Sequence, residues 1–451
     1  MNTQHELGCT RRDALRATTL GFGLLALNGL LAGRARAAAP FQARAKRVIL
    51  LAMGGAPSHV DTFDYKPELA KHDGQTLSGR YRQGAKLLAS PWEFEQHGKS
   101  GLWISALFPQ LAAHADELCL LRGMQTDVPA HAQAVLMQHT GSFQFVRPSL
   151  GAWTLYGLGS ANQNLPGFVT IGPPAGSAQS YGSAFLPATF QGMPIANLRG
   201  GRNAEPVANI KNARFDRAAQ REQLDLLQKL NREALEREPK NDELEGVIES
   251  YELAFRMQAE LPALLDLSKE PKATQDAYGI GGADTDAFAR QCLIARHLAE
   301  QGVRFIEVHQ GGWDHHRNLR NDLAAACRKV DRPIAALLGD LKQRGLLEDT
   351  LVIWGGEFGR TPYAQNGDGR DHNHKGFTTW FAGGGVKGGY SHGATDENGI
   401  EAVEGKLSMH DWHATILHLL GLDHERLTFN HAGRDFRLTD VHGRVATEIL
   451  A

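Results

Sequence analysis

The chain has 451 residues, of which 42% are hydrophobic and 22% charged, with 48 Lys+Arg against 50 Asp+Glu and a formal charge of -2. That length is ample for a large core, and the profile excludes a disordered chain. No basic excess argues for nucleic acid, and no window reaches the ~18–20 uninterrupted apolar residues of a membrane span.

The first 37 residues read as a targeting segment. Thr10-Arg11-Arg12-Asp13-Ala14-Leu15-Arg16 precedes a mildly apolar run from Leu20 to Leu31, and Ala35-Arg36-Ala37 supplies a small-x-small cleavage site. This resembles a twin-arginine export signal and implies a periplasmic or secreted product handled by the twin-arginine export machinery. Three cysteines then remain, Cys119, Cys292 and Cys327. Three cannot all pair, so no disulfide framework is expected.

From residue 44 to 451 strand and helix signals alternate. Arg47–Met53 is a short apolar run ending in Gly54-Gly55 and reads as a buried strand. Leu118–Leu121 and Phe168–Ile171 read as further strands. Residues 212–267 are charged, helical in period and poor in glycine, with Pro239 at a bend, and read as a helical insertion. Alternation resumes with a helix over 286–301, a strand over 304–308, a helix over 333–343, strands over 351–354 and 378–381, and a late helix over 412–420, which Asp411 caps. Such an order predicts an α/β fold, a mostly parallel sheet sandwiched by helices, with ligands beyond the carboxyl ends of the strands.

Four polar clusters fall at those ends: Ser58 to Asp64, Arg122 to Asp127 with His131, His309 to His316, and Gly355 to Thr361, with Gly369 to His374 shortly beyond. Imidazoles and carboxylates converging on one rim are what a divalent metal (Zn, Mn or Ca) requires, because neutral nitrogens and anionic oxygens must replace its water shell. Arg360 is a candidate to neutralise an anionic substrate through its planar fork.

Gly54-Gly55-Ala56-Pro57-Ser58-His59-Val60-Asp61-Thr62-Phe63-Asp64, Gly312-Trp313-Asp314, Gly356-Glu357-Phe358-Gly359-Arg360-Thr361-Pro362 and Gly369-Arg370-Asp371-His372 together resemble the secreted bacterial family known as domain of unknown function 1501. Phe381 to Gly389 and Gly433 to Asp440 extend the likeness over nearly the whole mature chain. That family is similar to the alkaline phosphatase and sulfatase superfamily. The resemblance implies an alkaline-phosphatase-like fold, one or two metals at the sheet rim with Asp61, Asp314, His316, Glu357, Asp371 and His372 as candidate ligands and His315 and His374 as competitors, and an anionic small-molecule or polysaccharide ester as substrate. It also implies a nucleophile on the helix ending in Thr140-Gly141. Counting back along that helix reaches His131, not a serine, threonine or cysteine, and no Cys/Ser-x-Pro-x-Arg motif stands there.

Two readings follow. One is a metal-dependent hydrolase of phosphate or sulfate esters, acting through a metal-activated water or a His131 nucleophile. The other is a secreted, non-catalytic binding or scaffold protein that keeps the fold and part of the metal site, with His131 as a metal ligand and no turnover. The export reading has its own test. With Arg11→Lys and Arg12→Lys together, fractionation should find uncleaved precursor in the cytoplasm; normal export of that variant rules the signal out.

Overall fold

The computed structural model describes residues 41–77, 84–174, 176–196, 206–207, 210, 214–237 and 241–451. The expected export signal and Pro239 lie outside the described residues. The strands that matter here are β1 (Arg47–Gly54), β2 (Leu118–Gln125), β3 (Phe168–Ile171), β4 (Met193–Ile195), β5 (Phe305–Gly311), β6 (Thr350–Gly355), β7 (Gly359–Gln365), β8 (Gly369–Asn373), β9 (Phe377–Ala382), β10 (Tyr390–His392) and β11 (Leu407–Ser408). The helices are α1 (His59–Thr62), α2 (His131–Thr140), α3 (Leu150–Leu158), α4 (Arg217–Arg237), α5 (Asp242–Leu265), α6 (Asp286–Glu300), α7 (Leu319–Gln343) and α8 (Met409–Leu419).

Nine strands form one sheet in the order β10-β2-β9-β6-β1-β5-β3-β4, with β11 also pairing β2. β9 runs antiparallel to β2 and β6, and the other pairs are parallel. The fold is therefore the mostly parallel α/β sheet that the alternation predicts. β1 shows why its sequence is apolar without a break. Val48, Leu50 and Ala52 enter a layer shared with α2, α3 and α8, while Ile49, Leu51 and Met53 enter the opposite layer with α6 and α7. A strand covered on both faces gains from an apolar side chain at every position, roughly 1.5–3 kcal/mol for each large one.

α7 begins at Leu319, well before the expected start at Pro333, which sits inside the helix. Leu319, Leu323, Ala326, Cys327, Val330 and Ile334 all turn into the core on one face. That burial outweighs the roughly 3 kcal/mol that an interior proline costs. The charged stretch after residue 214 is the pair α4–α5, joined by a two-pronged Arg221–Glu252 ion pair at 2.9 Å and by Gln228 Nε2 donating to the Ile248 carbonyl at 2.7 Å. Ser408 and Asp411 form a reciprocal cap at the start of α8.

Cys119, Cys292 and Cys327 are free and buried, Cys119 in one core layer and the other two in the opposite one. Among the described residues, no helix is long and apolar enough to cross a membrane.

Candidate metal centre

Parallel pairing of β5, β1 and β6 in register brings their carboxyl ends to one rim. β1 runs out at Gly54-Gly55. Gly55 has φ +108°, and a Cβ there would lie 2.7 Å from the Asp314 nitrogen, so only glycine lets the loop after β5 close over β1. That loop carries Trp313, Asp314, His315 and His316. From the other side comes the β7–β8 hairpin. A Cβ on Gly369 would lie 2.0 Å from the His316 carbonyl, which is how closely the hairpin approaches. His372 projects from β8, and His131 opens α2.

Four ligating atoms, one each from His131, Asp314, His316 and His372, lie within 4.8 Å of one another. Asp314 Oδ1 is the common neighbour: His316 Nε2 is 2.8 Å away, His131 Nε2 3.2 Å and His372 Nε2 3.7 Å. His316 Nε2 and His372 Nε2 are only 3.0 Å apart.

The opposite ring nitrogens are all engaged. His372 Nδ1 is 2.7 Å from the Pro129 carbonyl, His316 Nδ1 is 2.5 Å from Gln365 Oε1, and His131 Nδ1 is 2.6 Å from Glu357 Oε1. A carbonyl oxygen only accepts, so each Nδ1 facing one carries the proton. With no proton on either Nε2, His316 and His372 would present lone pairs to each other and to Asp314, a contact that a proton or a metal cation between them relieves. Three imidazoles with outward Nδ1–H groups tied to oxygens, plus one carboxylate, form a donor set suited to a transition metal.

Local charges support this. Burial disfavours the Asp314 carboxylate, but Arg360, then His131 and His316, outweigh it and bring its pKa down to about 2. Burial pulls His131 down, yet the hydrogen bond and charge of Glu357, with Asp314, leave its pKa raised. His372 is lowered, by burial first. Arg360 is 1% exposed. Its fork donates to the Ala56 and Gly55 carbonyls and to Asp314, and its terminal nitrogens lie 3.5 Å from His131 Nε2 and His316 Nε2.

The structure thus brings Asp314, His316 and His372 together and adds His131, which the sequence leaves open as nucleophile or metal ligand. Glu357 is 1% exposed and sits behind His131, accepting from its Nδ1 and from the Gly55 N–H at 3.0 Å. Asp371 caps the backbone N–H of His372 at 2.9 Å. His315 is buried outside the group, its pKa lowered to about 4 by burial. Asp61 is not at the rim group. Both its oxygens are taken by Arg370, at 2.6 and 2.9 Å, and Ser58 Oγ donates to it at 2.5 Å. Asp61 and Arg370 are both fully buried, so the stronger local charge decided where this carboxylate points. Sequence reasoning passed over Gln365 and the Pro129 carbonyl, which orient the imidazoles, and also a buried trio, His139, Glu307 and His309. For the trio a signal existed: Glu307 and His309 are two polar residues on one face of a strand that begins apolar, at Phe305, Ile306 and Val308.

A profile of the family described as "Protein of unknown function (DUF1501)" matches residues 45–450. A comparison with the curated proteins finds no match. Among solved structures, the chain is similar to a TAB5 alkaline phosphatase variant at 12% identity, covering 85% of this chain and 100% of that one, with a TM-score of 0.37. It is similar to the PsFucS1 sulfatase from Pseudoalteromonas sp. at 13% identity, covering 89% and 71%, with a TM-score of 0.36. The periplasmic domain of EptC from Escherichia coli, in complex with Zn, gives 10% identity, 89% and 95% coverage, and a TM-score of 0.37.

The Asp61–Arg370 pair separates a structural carboxylate from a ligating one. Asp61→Asn leaves a buried guanidinium unpaired and should cost about 3–5 kcal/mol in denaturant unfolding. Metal content per folded chain should stay unchanged; loss of metal from protein that remains folded contradicts the assignment.

Proposed function

Because the chain belongs to the family described as "Protein of unknown function (DUF1501)", its chemistry has to be argued from its own residues, and we propose that it is an exported metal-dependent hydrolase of phosphate or sulfate esters. The observation that carries the reading is the 3.0 Å approach of His316 Nε2 to His372 Nε2 beside Asp314, with each Nδ1 engaged elsewhere. His131, Asp314, His316 and His372 would hold the ion. Three nitrogens and one oxygen suit Zn or Mn better than Ca, which takes oxygen ligands. When bound, such an ion supplies Lewis acidity and lowers the pKa of a water at the site.

The remaining work falls to the chain. Arg360 is fixed by two backbone carbonyls beside the ligands, so its charge is in place before an anionic ester arrives and costs no reorganisation. Glu357 aligns the His131 ring and makes its Nε2 a better donor. His131, with both nitrogens engaged, is a ligand in this reading and not the attacking group. The periplasmic or secreted location rests on the twin-arginine sequence, and the substrate is an anionic small-molecule or polysaccharide ester.

One observation favours the second reading, a secreted binding protein: the α2 position at which the family resemblance implies a nucleophile holds His131, not a serine, threonine or cysteine. Metal analysis and turnover decide between them. Wild type should purify with at least one Zn or Mn per chain and cleave members of an aryl phosphate, phosphodiester and aryl sulfate panel. His131→Ala and His372→Ala should lose that metal. Arg360→Ala should keep it and lose ~10²–10³ in kcat/KM. A fully metallated wild type inert across the panel overturns the hydrolase in favour of the binding protein.

A further inference from the structure

Behind the rim, in the layer between the sheet and α2, lies a second set of ligating side chains that the hydrolase reading does not use. Glu307 and His309 are alternate residues of β5 and therefore point to one face. Their strand neighbours in register, Leu50 and Ala52, belong to the core layer that α2, α3 and α8 cover. His139 reaches them from α2, two turns beyond His131. One ligating atom from each of the three lies within 4.8 Å of the others. Glu307 is 0% exposed, His139 4% and His309 9%.

The chemistry of this trio is incomplete as it stands. His139 Nδ1 is 2.7 Å from the Val135 carbonyl, which only accepts, so Nδ1 carries the proton. A neutral His139 then aims the Nε2 lone pair at the Glu307 carboxylate, a repulsion that no water screens at this depth. A cation must lie between them. A proton on His139 would answer that one contact. It leaves three others unanswered. Glu307 Oε2 is buried without a hydrogen-bond partner. His309 Nε2 lies 2.9 Å from Glu307 Oε1, an ion pair only when the ring is protonated, and has no other polar partner. Thr170, paired in register with Glu307 from β3 and 0% exposed, has an unpartnered Oγ1. Orphaned buried polar atoms destabilise a fold. A single ion that takes several ligands would satisfy these groups together.

We propose that His139, Glu307 and His309, with the Thr170 hydroxyl, form a second divalent-cation site, enclosed in the core and structural in role. Two imidazoles and a carboxylate select a zinc-type ion over calcium or magnesium. Being enclosed, the site has no room for a substrate. It clamps α2 onto β3 and β5, and so holds the helix that presents His131 to the rim.

The test uses the full chain with the rim donors removed, Asp314→Ala together with His372→Ala, leaving the buried trio intact. After dialysis against Zn(II) and then against buffer, elemental analysis should find close to one zinc per folded chain, released only on unfolding. Growth with Co(II) should give the visible absorption of a cobalt ion with few ligands. Adding Glu307→Gln should abolish both signals. A folded rim variant that holds no zinc and no cobalt, and whose Tm ignores chelator, overturns the proposal and leaves a proton on His139 as the cation. This outcome does not depend on the rim reading. Wild type and rim variant with equal metal would refute the rim site and leave this one standing; metal in wild type alone would do the reverse.

Discussion

The Glu357 carboxylate is the contact on which the rim is built. It lies just beyond β6, is almost completely buried, and takes the N–H of Gly55 after β1 and the Nδ1–H of His131 at the head of α2. Three chain segments far apart in sequence are thereby fixed to one another by a single charged group. A buried carboxylate must be matched by donors or cations, and each donor it recruits carries its own segment into place. Arg360, three residues on, repeats the device with opposite sign: it binds the carbonyls of Gly55 and Ala56 and reaches Asp314. The result is a rim whose side chains are positioned before any ligand is present, which is what electrostatic catalysis or tight ion binding demands.

Much of the fold was legible because the core strands are covered on both faces. Runs such as 48–53 and 351–354 have no polar position to confuse the reading. Where legibility failed, a tertiary interaction had overridden a local rule. Pro333 hid the first half of α7 because core packing tolerates it. The β7–β8 hairpin does not alternate visibly, since Arg360 and Arg370, which look like surface residues, are two of the most deeply buried side chains.

The site was legible in composition and less so in role. Asp314, His316 and His372 meet as their clustering at strand ends suggests. Asp61 stands equally near a strand end in sequence, yet Arg370 captures it, and that preference depends on which way two side chains point across a fold. His131 was visible only by counting along its helix, and the count says nothing about whether its two nitrogens are free. Gln365 and the Pro129 carbonyl left no trace, because backbone acceptors have no residue-type signature.

The three buried thiols carry a consequence of another kind. Cys119 lies on β2 in one layer, and Cys292 and Cys327 lie on α6 and α7 in the other. Burial pushes all three thiols upward, Cys119 to about 12, so neither oxidant nor alkylating reagent meets a thiolate in the closed molecule. Each sulfur is instead a clock for one face of the sheet: covalent marking at 119 dates the parting of one helical layer, and marking at 292 or 327 the parting of the other. An oxidising surrounding would therefore spare the closed protein and mark molecules in which one layer or the other has parted.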